Sequence, residues 1–96
     1  MISREDFIFT IGYEGELAVV DKSARARYGK LDTQALVREG LYRDAFASAL
    51  YSGKDDEFQQ FAAAYNAQAG TSYTKPEDFQ RLFGVKLENV RRVMSL

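Results

Sequence analysis

Apolar and polar residues alternate along the first third of the chain, and then the period changes. In FTIGYEGELAVVDKSARARYG, residues 9–29, large apolar side chains recur at every second position, break at Gly15, resume, and break again at Lys22-Ser23. That is the period of strands burying one face. A three-residue loop at Tyr13-Glu14-Gly15, with Gly15 left-handed at its end, sets Ile11 opposite Leu17 and Phe9 opposite Val19. A two-residue loop at Glu14-Gly15 would split these residues between the two faces, so the first register is preferred. A second tight turn at Lys22-Ser23 places Ala26 opposite Val19 and Tyr28 opposite Leu17, completing a three-stranded antiparallel meander. Its predicted core face carries Phe7, Phe9, Ile11, Leu17, Val19, Ala26 and Tyr28. Its outer face carries Ile8, Thr10, Ala18, Val20, Arg25 and Arg27. Two readings of the outer face compete: arginine stems lying over a solvated sheet, or a docking surface for a protein partner or a second copy.

From Leu31 onward the apolar spacing is helical. Asp32 can cap a helix starting at Thr33, with Leu31 and Leu36 placed as a hydrophobic staple and Gly40 at its end. Tyr42, Ala45, Phe46, Ala49 and Leu50 form a buried stripe on a second helix closed by Gly53. Asp55-Asp56-Glu57 suits the positive end of a third helix, with stripe Phe58, Phe61, Ala62 and Tyr65 and a stop at Gly70. Thr74 and Glu77 have capping-box spacing around Pro76 for a fourth helix burying Phe79, Leu82 and Phe83. Leu87, Val90, Val93 and Met94 mark a last short helix. Strands followed by helices predict an α+β fold: an N-terminal three-stranded antiparallel meander with four to five short helices packed on one face.

Composition narrows the chemistry. With 96 residues, 46% of them hydrophobic, including seven Phe and six Tyr, the chain is predicted to form a single small α+β domain over residues 1–96 without needing disulfides. Histidine is absent, which excludes histidine bases, triads and metal sites; cysteine is absent, which excludes thiol nucleophiles and thiolate sites. Ser52-Gly53-Lys54 fails as a phosphate loop because Ser48 and Asp55 occupy positions that need Gly and Ser or Thr. The acids at Asp55–Glu57 read as a helix start rather than a cation site. No apolar run reaches membrane-spanning length, and MISREDF is charged where a signal peptide would be apolar, so no membrane association and a cytoplasmic location are expected. The net charge is −1, with basic clusters at Lys22, Arg25, Arg27 and Lys30, and at Arg81, Lys86, Arg91 and Arg92.

The second cluster lies in TKPEDFQRLFGVKLENVRRVM, residues 74–94, which resembles a bacterial helix-turn-helix segment. Phe79 and Phe83 match its first helix, Gly84-Val85 its turn, and Val90 and Val93 the packed side of its second helix. Gln80, where a small residue is usual, and Leu87, where a polar one is, depart from the pattern. The resemblance implies Lys86 and Asn89 facing DNA with Arg91 or Arg92. The alternative is a plain helical hairpin finishing the core. Taken together, a non-catalytic domain without cofactor or metal is expected. It would bind a protein partner or itself through Ile8, Thr10, Ala18, Val20, Arg25 and Arg27; DNA regulation through Lys86, Asn89, Arg91 and Arg92 is the alternative.

Overall fold

The computed structural model describes residues 2–85 and 90–96. Ser3 accepts a hydrogen bond from the Asp6 amide at 3.2 Å, and Glu5 and Asp6 face the positive end of a short helix, α1 (Arg4–Ile8). Phe7 and Ile8, expected in the first strand, are therefore helical, and both are buried. The chain turns at Phe9, runs out as β1 (Thr10–Glu14) and returns as β2 (Leu17–Val20). The turn is Gly15-Glu16, with Gly15 left-handed at φ 59°, so Glu14 and not Ile11 opposes Leu17.

The third strand of the expected meander is a helix. The Asp21 carboxylate accepts from the Ala24 amide at 3.0 Å and starts α2 (Lys22–Tyr28). Downstream, α3 (Thr33–Arg38) begins as predicted, with Asp32 accepting from the Ala35 amide at 2.8 Å. Next come α4 (Tyr42–Ser52), α5 (Asp55–Ala69) and α6 (Pro76–Phe83), ended by Gly53, Gly70 and Gly84. The cap of α6 falls one residue later than Thr74 and Glu77: the Lys75 amide donates to the Asp78 carboxylate at 3.2 Å. The last element is a strand, β3 (Arg92–Ser95), where the spacing of Val90, Val93 and Met94 predicts a helix.

The three strands lie in the order β1-β2-β3, with β1 antiparallel and β3 parallel to β2. The fold is thus α+β as expected, but its sheet is mixed rather than an antiparallel meander, and six helices stand among the described residues instead of four to five. A bulge at Ile11 interrupts the β1–β2 ladder: Thr10 pairs with Val20 and Gly12 with Val19. Because one extra residue reverses the alternation, Thr10 and Tyr13 share the face of Ala18 and Val20. Thr10, Ala18 and Val20 are fully buried there, against the helices.

At the centre of the core lies α4, buried along Ala45-Phe46-Ala47-Ser48-Ala49, as a helix enclosed on most sides must be. The Phe46 ring sits 6.4 Å from Phe58, 5.7 Å from Phe61, 5.5 Å from Phe79 and 5.9 Å from Phe83. This cluster joins α4, α5 and α6. Among the described residues no helix is long and apolar enough to cross a membrane.

Candidate functional site

The face predicted to meet a partner points inward. Ile8 lies in α1, and Thr10, Ala18 and Val20 lie on the inner side of the sheet; all four are fully buried. Thr10, Ala18 and Val20 share one face as expected, but it is the face packed against the helices, and Phe7 and Phe9, expected on the opposite side of the ladder, lie in α1 and at its C-terminal cap. Arg25 and Arg27 sit on α2, away from the ladder: Arg25 pairs with Asp6, and the Arg27 guanidinium lies 5.2 Å from the Tyr28 ring centroid. These six residues make no common exposed surface.

What does face outward on the sheet is Ile11, Leu17 and Val19 from the predicted core side, while Phe7 and Phe9 are buried. The pairing Gly12–Val19–Met94 forms one row across the sheet, with Ile11 beside it at the bulge, and Glu14–Leu17–Arg92 forms the next. Ile11 is 58% exposed and Met94 43%, while Leu17 and Val19 between the margins are half-buried. None of these four belongs to the hydrophobic core or packs against it. The free edge of β1 is obstructed at one end: Arg43 donates from Nη1 to the Thr10 carbonyl and from Nε to the Phe83 carbonyl at 3.1 Å.

The helix-turn-helix resemblance fails where its second helix should finish. Arg92 to Ser95 form β3, and Arg92 lies in the sheet. The Arg91 amide donates to the Glu16 carbonyl at 2.8 Å, and its side chain approaches Glu16 at 3.5 Å. Lys86 and Asn89 lie outside the described residues. The physical reason is that β2 offers an open edge, and an extended segment satisfies it where a helix cannot.

A polar chain missed in the sequence ties four helices together inside the molecule. The Arg4 guanidinium donates to the Leu31 carbonyl at 2.7 Å, to the Gly29 carbonyl at 3.2 Å and to Ser48 Oγ at 3.1 Å. Ser48 Oγ and Thr33 Oγ1 are 2.8 Å apart, and Thr33 also hydrogen-bonds the Glu57 carboxylate. Thr33 has a single hydroxyl proton, which the carboxylate takes, so Ser48 supplies the proton between the two hydroxyls. The order runs from Arg4 on α1 through Ser48 on α4 and Thr33 on α3 to Glu57 on α5, with a cation at one end and an anion at the other. Both hydroxyl-bearing residues, Ser48 and Thr33, are buried. The signal was a serine standing inside the Ala and Phe stripe of α4.

A cleft of about 490 Å³ opens beside β1, lined by Ile11, Leu41, Tyr42, Arg43, Tyr65 and Phe83 together with Asp44. Burial pushes the Asp44 carboxyl up to about 6; neighbouring Arg43 pulls it down and Asp21 adds to the rise. Since the folded value lies above the unfolded one, Asp44 contributes stability below about pH 4 and loses it as the pH climbs through 6. Asp44→Asn is therefore expected to stabilise the protein at pH 7 by about 1 kcal/mol, after allowing for partial solvent screening, with no gain at pH 4. Urea midpoints at the two pH values measure it, and an equal change at both would contradict the assignment. No known protein family, curated protein or solved structure matches this chain.

Proposed function

We propose that this chain is a non-catalytic interaction domain that works by self-association, and that its working surface is the outward sheet face. The observation that carries this reading is the exposure of Ile11 and Met94 at either side of Leu17 and Val19, on a face that contributes nothing to the core. Leaving these apolar side chains in contact with water is a cost that association would relieve. The face is also balanced in charge, with Glu14 at one margin and Arg92 at the other, as a surface meeting its own copy needs. At ordinary strand spacings it spans about 200 Å², well below the roughly 800 Å² per partner of a standard interface, so the complex is weak.

Sedimentation equilibrium tests this directly. The average mass of the wild type is expected to rise above 10.9 kDa. That rise should come as concentration goes from roughly 10 µM to 1 mM, the range of weak association. An Ile11→Lys, Met94→Lys variant is expected to stay monomeric. Leu82→Lys, which alters an exposed leucine on α6 instead, is expected to behave as the wild type. A constant monomer mass for the wild type across the range rejects the reading.

A further inference from the structure

Building on the self-association reading, we infer that two copies stack outer sheet face on outer sheet face about a two-fold axis parallel to β2, with Glu14 of each copy against Arg92 of the other. The ladder supplies the geometry. Glu14, Leu17 and Arg92 are cross-strand partners in one row, so the acid and the base stand on the two outer strands with an apolar residue between them. The acid and the base are two strand spacings apart, about 10 Å. Both side chains are exposed, and neither has an ion-pair partner among the described residues.

A two-fold axis in the interface and along the strands exchanges left and right but leaves each row at its own height. Glu14 then meets the second copy's Arg92, and Arg92 meets its Glu14. Leu17 covers Leu17, Val19 covers Val19, and Ile11 with Gly12 faces Met94. Every charge finds its opposite and every apolar side chain an apolar one. The strands of the two sheets run in the same direction, the aligned arrangement that twisted sheets adopt when they pack. An axis across the strands does neither. It sets Glu14 on Glu14 and Arg92 on Arg92 if the rows coincide, or buries both charges against Ile11 and Met94 if they exchange, and both juxtapositions are unfavourable. Pairing edge to edge leaves one of the two charges out of the contact, Glu14 if it runs through β3 and Arg92 if it runs through β1.

Charge exchange distinguishes these arrangements. Glu14→Arg and Arg92→Glu, each alone, turn two symmetry-related attractions into repulsions and are expected to weaken the dimer about tenfold. The double variant Glu14→Arg, Arg92→Glu restores both pairs and is expected to recover wild-type association to within about twofold. Far-ultraviolet circular dichroism and thermal melting check that each variant folds. Should Arg92→Glu fail to do so, Glu14→Gln against Arg92→Gln gives the same comparison with smaller, roughly threefold losses. A wild-type dimer indifferent to Glu14→Arg, or a double variant as weak as the singles, overturns the stacked arrangement and leaves self-association standing. A wild type that stays monomeric overturns both.

Discussion

Replacing Phe46 with alanine is expected to destabilise the fold by about 4 kcal/mol, the usual cost of truncating a fully enclosed ring. The magnitude follows from position. Phe46 is fully buried, and the rings of Phe58, Phe61, Phe79 and Phe83 all lie within 6.4 Å of it, so the space it leaves is walled by three helices that cannot all collapse inward. A domain of this size has about 5–15 kcal/mol in total, so the variant gives up between about a quarter and four-fifths of its stability. Phe46→Leu, which refills part of the space, should lose less than half as much. Urea denaturation read by circular dichroism measures both, and a loss under about 1 kcal/mol for the alanine variant would show that the ring cluster is looser than described.

The second large effect belongs to Arg4. Arg4→Met keeps the length of the side chain but removes donors from the Gly29 and Leu31 carbonyls and from Ser48, and it takes away the cation at the head of the chain ending at Glu57. About 3 kcal/mol is expected, since each acceptor stranded in partly buried surroundings costs about 1–3 kcal/mol, and solvent reaches some of them. The same denaturation assay reads it. Thr33→Val breaks the chain in its middle and should not add to Arg4→Met in the double variant, because the two act on one network. Full additivity would mean that the hydroxyls and the guanidinium act separately.

The helices between Thr33 and Phe83 were legible because long elements repeat their signals. In α4 and α5 the apolar stripe recurs over several turns, and acids at one end and a glycine at the other confirm the limits, so the span and the buried side are over-determined. Asp32 was readable for a similar reason, with a cap and an apolar staple agreeing.

The short elements were not legible, and each failure has a cause. Phe7, Ile8 and Phe9 are apolar in succession, which fits a strand or a buried turn of helix equally well; Ser3, reaching the Asp6 amide, decides for helix. In SARARYG the alternation of Ala and Arg is compatible with either period over so few residues, and the Asp21 cap settles it. The bulge at Ile11 leaves no composition signal, yet it brings Thr10 rather than Ile11 opposite Val20 and so sets Thr10 on the inner face. Ala18 and Val20 stand on that face by the alternation of β2 itself, and the helices cover it, so all three are lost as surface candidates. At Arg92–Ser95 the local pattern is helical, and only the vacant side of β2, far away in sequence, makes it extended.

That last pairing also sets a timetable. Leu17 meets Arg92, about 75 positions downstream, whereas it meets Glu14 across a turn of two residues. The ribbon can close within microseconds, but its second edge must stay bare until the rest has been made, roughly 4 to 15 s at cellular rates of synthesis. Throughout that interval the nascent chain presents Leu17–Val20 as a bare template for any extended neighbour, and a chaperone that covers Val19 and Val20 early would protect the yield more than one acting after release.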